Sequence, residues 1–349
     1  MAFLSFNNVG INGVSACVPK NIRKNKDLED LLGKDELNKV IKSIGIQEMR
    51  HVDKGVTPSD LCYEAALVLI EDLKIDKSDI DLVLFLSQNG DFKIPATSPS
   101  LQHRLGLPKT TACIDLTLAC SGYVYALSTA YAYASQPTIN KVLLLVGEAF
   151  SQIVSDKDKV NAPLYGDAGT ATIISKGDFG ESQFNLYSDG SGFEAVQIPA
   201  GGARCPSTSE TVKLRDMEKG NSRTLHQLYM DGLDVFNFTL KVVPSSIKEA
   251  LSKSNNNNET IDYFLFHQAN KFMIDFFRKK LKIAENKVPI SLDKFGNVSS
   301  ATIPLTIVTR LKDKIENKKL LLSGFGAGLS WATAVLDTSL CKVSKLKEI

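Results

Sequence analysis

Short, uninterrupted apolar runs recur along the chain at residues 82–86, 142–146, 172–174, 263–266, 320–322 and 334–336. Their apolarity is continuous rather than alternating, which predicts strands covered on both faces, as in a sheet held between helices. Helical signals fill the intervals. Thr97 and Pro99 supply a cap and a first-turn proline for a short helix ending before Gly106, and residues 121–135 are Ala-rich with apolar positions at helical spacing. Residues 199–220, rich in Gly, Ser, Thr and charge, and the polar tract 255–258 read as exposed loops. The whole predicts an α/β fold.

The pattern occurs twice. Asp81-Leu-Val-Leu-Phe-Leu-Ser-Gln-Asn resembles Asp262-Tyr-Phe-Leu-Phe-His-Gln-Ala-Asn at an offset of 181 residues. Cys113-Ile-Asp-Leu matches Pro289-Ile-Ser-Leu at an offset of 176, and Lys141-Val-Leu-Leu matches Lys318-Lys-Leu-Leu at 177. Three blocks in one order at a near-constant offset predict an internal duplication. Matching turns of two such halves face each other about a pseudo-twofold axis, and open α/β sheets bind ligands beyond the carboxyl ends of their strands. Cys120 follows a strand expected at 112–116, His267 follows the run 263–266, and Asn297 follows a strand expected at 289–292. The duplication therefore gathers these three at one site.

Composition narrows the class. The 349 residues suit about two domains, or one large duplicated unit, at roughly 150 residues per domain. With 43% hydrophobic and 23% charged residues, a chain of this size buries enough surface to fold without disulfides or metals. Lys and Arg number 41 against 39 Asp and Glu, and the net charge of +2 is far from the dense positive field of a nucleic-acid binder. Residues 1–9 lack a signal-peptide pattern and no apolar run approaches the roughly 18 residues that cross a bilayer, so a soluble, cytoplasmic protein without membrane insertion is expected. Six cysteines (17, 62, 113, 120, 205 and 341) include no Cys-x-x-Cys, which argues against a metal site or a disulfide framework.

Cys120 stands in Leu118-Ala-Cys-Ser-Gly-Tyr123, between a strand and a helix starting near Ser121. A thiol of pKa near 8.5 is only a few per cent thiolate at pH 7, and the unpaired amides of a helix start favour the anion. Cys17, Cys62 and Cys113 read as structural. His267 is at a strand end in the expected site, whereas His51, His103 and His226 occupy ordinary polar or helical surroundings. Asn297, in Asp293-Lys-Phe-Gly-Asn-Val-Ser-Ser-Ala301, reads on its own as a helix cap and gains a role only from its correspondence with the Cys120 turn. Gly324-Phe-Gly-Ala-Gly-Leu-Ser-Trp331 runs into another strand rather than a crossover helix, which argues against a dinucleotide cradle. Its glycines suit close backbone approach, with main-chain N–H groups available to a developing oxyanion.

In that order, Ala119-Cys-Ser-Gly122, His267-Gln-Ala-Asn270, Gly296-Asn-Val-Ser-Ser-Ala301 and the 324–331 loop resemble the ketosynthase III family, the 3-oxoacyl-acyl-carrier-protein synthases III of the thiolase-like superfamily. Tyr165-Gly-Asp-Ala-Gly169 is similar to a further block of that family, and the likeness runs from about Gly10 to Leu336. The resemblance implies a duplicated five-layer αβαβα arrangement, with similar halves at 1–178 (Cys120) and 179–349 (His267 and Asn297), usually as a homodimer. It also implies a decarboxylative Claisen condensation with no bound cofactor. An acyl-CoA or acyl-carrier-protein primer would acylate Cys120, and His267 and Asn297 would donate hydrogen bonds to the thioester carbonyl of a malonyl carrier protein. Loss of CO₂ leaves an enolate, for which neutral donors suffice. The backbone N–H groups of Cys120 and Ala327 would form the oxyanion hole. Lys271, Arg278, Lys279 and Lys280 would dock an acidic carrier protein, although a solvated helix face has the same pattern.

Departures bear on the primer. Family members that start from a CoA primer commonly carry a Trp and an Arg in the segment aligned with residues 40–46, which here reads Val-Ile-Lys-Ser-Ile-Gly-Ile, and an Arg expected after the His motif is Phe272. A carrier-borne primer or a specialised pathway would follow. Three other readings remain: acyl transfer on the same fold without decarboxylation, an acyl-thioester binding scaffold, and a papain-like cysteine hydrolase. For the last, the Cys-to-His spacing of 147 fits, but the Cys-to-Asn spacing of 177 overshoots.

Overall fold

The computed structural model describes residues 2–349, apart from the side chain of Lys219. Among these residues twelve strands build two sheets: β1 (Ala2–Phe6), β2 (Val9–Val18), β3 (Ile80–Leu86), β4 (Ala112–Leu116), β5 (Lys141–Ala149), β6 (Asp167–Lys176), β7 (Ser182–Ser188), β8 (Tyr263–Phe266), β9 (Lys319–Gly326), β10 (Ser330–Asp337), β11 (Lys342–Val343) and β12 (Lys347–Glu348). The helices that pack on them are α1 (Lys34–Ile44), α2 (Pro58–Asp72), α3 (Ser98–Arg104), α4 (Gly122–Ala134), α5 (Gly232–Lys253), α6 (Lys271–Lys280) and α7 (Thr302–Arg310). Each apolar run read from the sequence lies in a strand, and each strand extends beyond its run or coincides with it.

The duplication is visible in the strand order. One sheet runs β11-β2-β6-β5-β3-β4, with β12 also on β2, and the other runs β1-β7-β10-β9-β8. In the first, β2 with β6 and β6 with β5 are antiparallel and β5 with β3 is parallel; in the second, β7 with β10 and β10 with β9 are antiparallel and β9 with β8 is parallel. The repeated aspartates also do the same job. Asp81 accepts from the Asn140 N–H at 2.5 Å and Asp262 from the Lys319 N–H at 2.8 Å, each tying the start of one parallel strand to its neighbour.

Helices α4 and α7 lie between the sheets, α2 and α3 cover the outer face of the first, and α5 and α6 cover that of the second, giving five layers. The sequence of α4 explains its central place. Tyr123, Val124, Ala126, Leu127, Ala130, Tyr131 and Ala134 are all buried, so the helix presents a wide apolar face to the interior, with only Ala132 and Tyr133 exposed near its end. At roughly 1.5–3 kcal/mol for each large apolar side chain taken out of water, such a helix belongs in the interior.

Three expectations are corrected. Residues 289–292 form no strand, although they match β4 in sequence. Pro289 has no N–H for a ladder, the Ser291 N–H goes to the Gln268 side chain at 3.1 Å, and the Ile290 carbonyl accepts from Arg310 Nε at 2.7 Å. Side chains there take the bonds that a sheet would have supplied. The Thr97 hydroxyl does not cap α3; the Asp115 carboxylate at the end of β4 accepts from the Thr97 and Ser98 N–H groups at 2.6 and 2.8 Å. The division at 178/179 is crossed at both chain ends, since β1 pairs with β7 while β11 and β12 pair with β2.

Gly169 in β6 marks the closest approach of α2 to the first sheet, where an added Cβ would lie 2.4 Å from the Cys62 nitrogen. The obstacle is helix backbone, which cannot swing aside. Gly169→Ala is therefore expected to lower stability by about 1–3 kcal/mol, the usual cost of overpacking, and chemical denaturation of the purified variant measures it.

Candidate functional site

Three chain turns converge on one cavity of about 550 Å³. The turn between β4 and α4 brings Cys120, the end of β8 brings His267, and the segment before α7 brings Asn297; all three line the cavity with Ala327 of the β9–β10 turn. The remaining wall is mostly apolar, including Phe150, Leu164, Leu228, Met230 and Phe236, and no lining residue carries a charge. The duplicated turns thus meet as the sequence predicted.

Ser299 connects the three side chains. Its hydroxyl lies 3.6 Å from Cys120 Sγ, its N–H donates to Asn297 Oδ1 at 2.8 Å, and its carbonyl accepts from the Thr302 hydroxyl at 2.8 Å. Thr302 Oγ1 is in turn 2.8 Å from His267 Nδ1. Ser299 has φ of 48°, a left-handed backbone rarely adopted by residues with a side chain, held here because so many of its polar groups are engaged. With Oδ1 occupied, the Asn297 amide turns its two N–H donors toward the cavity. The cap reading of Asn297 is corrected: the short helix that follows has Val298 as its N-cap and no side-chain cap, and Asn297 Oδ1 instead closes a turn onto the Ser299 N–H.

His267 is buried, and desolvation pushes its imidazole down to about 3, so it is neutral at physiological pH. Its tautomer depends on one hydroxyl. While Thr302 donates to the Ser299 carbonyl, Nδ1 must carry the ring proton and Nε2 is an acceptor. Turning the Thr302 hydrogen to Nδ1 makes Nε2 a donor, for the loss of one hydrogen bond, about 0.5–1.5 kcal/mol. Donation from His267 to a substrate carbonyl uses this second arrangement.

The Cys120 thiol differs from expectation. A helix start favours the thiolate, yet burial outweighs it and pushes the thiol up to about 12, with the Glu148 carboxyl adding to the rise and the Ser299 hydroxyl opposing it. At physiological pH Cys120 is therefore a thiol. The glycines of 324–326 do serve close approach. A Cβ on Gly324 would lie 2.9 Å from the Ser121 Cα, and one on Gly326 would lie 2.7 Å from the Cys120 Cβ. Among the described residues the Ala327 N–H donates to no protein acceptor, while the Cys120 N–H acts on its own sulfur and lowers the thiol pKa.

Helix α6 begins at the cavity mouth, where Asn270 and Phe272 are lining residues, and Phe272 is 55% exposed. Of the four expected docking residues, Lys271 is paired with Asp275, and Arg278 with Asp275 and Glu285, while Lys279 and Lys280 are exposed. Sequence reasoning missed Ser299, Thr302 and Glu148. The visible signal was Glu148, a carboxyl two residues beyond the apolar run 142–146. Among the described residues no group of three or more His, Cys, Asp or Glu is placed to hold a metal, and no helix is long and apolar enough to cross a membrane.

Comparison with known proteins agrees with this geometry. The sequence model described as 3-oxoacyl-[acyl-carrier-protein (ACP)] synthase III matches residues 114–190, and that of its C-terminal part matches residues 251–338. A 3-oxoacyl-[acyl-carrier-protein] synthase 3 of Campylobacter jejuni is 36% identical over 95% of this chain and 94% of its own. A β-ketoacyl-[acyl-carrier-protein] synthase III of Rhodopirellula baltica is 34% identical over 94% of this chain and 97% of its own. The crystal structure of a 3-oxoacyl-(acyl-carrier protein) synthase from Burkholderia xenovorans superposes with a TM-score of 0.93 at 32% identity, covering 100% of this chain and 99% of that one.

Glu148 gives a pH dependence of known sign. Burial raises its carboxyl from 4.5 to about 8, so between those values the folded protein holds a proton that the unfolded chain has released. Its contribution to stability is full below 4.5 and is lost as pH rises through 8. Relative to Glu148→Gln, the wild type is expected to lose thermal stability between pH 5 and 9, as read from paired melting curves; equal slopes would place the carboxyl in an ordinary titration range.

Proposed function

The chain belongs to the 3-oxoacyl-[acyl-carrier-protein] synthase III family of condensing acyltransferases, and we propose that it extends an acyl primer held on Cys120 by decarboxylative condensation with a malonyl carrier protein. The observation that carries the reading is the convergence of Cys120, His267 and Asn297 on one uncharged cavity that Ala327 also lines.

In the first half-reaction Cys120 takes the acyl group from the primer thioester. The N–H groups of Cys120 and Ala327 stabilise the oxyanion of the tetrahedral intermediate. The primer thiol leaves and the malonyl thioester enters, a ping-pong order. In the second, Asn297 and the Nε2–H tautomer of His267 hold the malonyl thioester oxygen. Their effect is largest on the enolate, because its oxygen carries more charge than the ground-state carbonyl. A histidine held neutral by burial suits this task, since it supplies a dipole without a counter-charge that would trap the malonyl carboxylate.

The cavity also limits the primer. An acyl chain and the uncharged part of a pantetheine arm suit an uncharged lining, and phosphates must stay outside the mouth at Phe272. Lys279 and Lys280 at the far end of α6 lie about 12 Å from that mouth at 1.5 Å per residue, a reach suited to an acidic carrier. The exposed side chains of Phe92 (63%) and Ile94 (90%), on the loop where the family borrows a pocket wall from a partner, support a homodimer.

Three variants separate the half-reactions. Cys120→Ala is expected to show no acyl adduct by intact mass and no condensation. Asn297→Ala and His267→Ala are expected to keep the adduct while losing about 10²–10³-fold in condensation, the usual effect of deleting an oxyanion donor. Product formation without CO₂ release would replace condensation by simple acyl transfer, and an undiminished Cys120→Ala would overturn the reading entirely.

A further inference from the structure

Among the described residues that line the cavity, Tyr165 is the one that carries a hydroxyl, and the condensation leaves it unused. The residue is buried, and its ring stacks on Phe150 with 4.9 Å between centroids and 20° between planes. Its backbone is held beside the site: the Asn297 N–H donates to the Leu164 carbonyl at 2.8 Å, and the Gly166 N–H donates to the Asn297 carbonyl at 3.2 Å. Tyr165 is thus fixed next to Asn297, in the wall of the cavity that Cys120 enters.

The hydroxyl has a poor partner there. It donates to Met230 Sδ at 3.7 Å, and a thioether is a weak acceptor. Tyr123, Tyr125 and Tyr187 instead set their hydroxyls against oxygen, at 3.2, 2.7 and 2.7 Å. Tyr131, whose hydroxyl has no partner, is packed in the core and does not line this cavity. A phenylalanine at 165 would fill the same space and stack on Phe150 equally well, without taking a hydroxyl out of water for one weak bond. An acceptor that enters with the substrate accounts for the oxygen. Met230 does not stand in its way, because an unbranched, flexible side chain at the end of the short strand Tyr229–Met230 can move aside.

We propose that Tyr165 is a specificity-determining residue that selects acyl primers bearing a neutral oxygen, a keto or hydroxyl group, along the chain. The inference rests on Cys120 being the acylated nucleophile. Burial pushes the phenol up, so it remains a donor throughout the neutral range. The acceptor must be neutral because no lining residue carries a charge, and a carboxylate on the acyl chain would be buried without a counter-charge. A fully apolar chain leaves the hydroxyl on the thioether and gains nothing from it. Discrimination is therefore between an oxygen and a methylene at one position, which a hydrogen-bonding site achieves better than an apolar wall.

The test offers full-length protein equimolar pairs of thioesters at pH 7.5: hexanoyl-pantetheine against its 3-oxo, 4-oxo or 5-oxo analogue. The intact mass of the Cys120 adduct at low conversion reads the ratio of kcat/KM for acylation. The wild type is expected to take up at least one oxo primer about tenfold or more faster than hexanoyl, and Tyr165→Phe to bring that ratio within about threefold of one. Met230→Leu, which removes the competing sulfur at similar volume, is expected to keep or raise the preference. No preference in the wild type, or an equal one in Tyr165→Phe, overturns the assignment and leaves Cys120 as nucleophile. A hydroxyl that serves only to hold Met230 gives that result, with a lower melting temperature in both variants as its signature. A wild type that forms no adduct with any of the four thioesters overturns the acylation reading and the preference with it. Should Tyr165→Phe fail to fold, Met230→Leu decides: a preference kept there supports the assignment, and one lost overturns it.

Discussion

Ser299 binds the site together through three different atoms: its hydroxyl meets the Cys120 thiol, its amide fixes the Asn297 side chain, and its carbonyl accepts from the Thr302 hydroxyl that contacts His267. The three functional side chains come from segments far apart in sequence, and their relative placement would otherwise depend on the accumulated error of three separate turns. One residue in a strained conformation replaces that with short, directional bonds. The strain is tolerated because relaxing Ser299 would release contacts to all three groups at once.

The electrostatics follow one rule throughout the cavity. Burial keeps His267 neutral, keeps Cys120 protonated and raises the Glu148 carboxyl, so all three stay close to uncharged. In the proposed reaction charge would develop on substrate oxygens and on sulfur, beside N–H groups that the fold holds in place. Such dipoles need no reorganisation and act strongly in a dry site.

Much of this was legible in the sequence, for identifiable reasons. Strands buried on both faces leave continuous apolar runs, and duplicated strands leave a constant offset, so the layers and the meeting of Cys120, His267 and Asn297 could be read directly. The failures involve side chains that substitute for backbone. Residues 289–292 match β4 in apolar pattern, but Gln268 and Arg310 take their hydrogen bonds, and no periodicity records that. The Asp115 cap was hidden because its carboxylate comes from a strand end rather than from the helix it serves. The raised Cys120 pKa was invisible because burial depends on the whole fold, whereas the helix start depends on neighbours in the chain.

The exchange of terminal strands reaches beyond architecture. During synthesis β2 leaves the ribosome among the first residues, yet β11 and β12, which cover its free side, are the last to appear. That side of β2 therefore waits much longer for its partners than β1 waits for β7, which follows near the middle of the chain. An exposed strand edge is a template for pairing with another chain. The sheet that carries the Cys120 turn thus keeps one edge open until those two strands add to it.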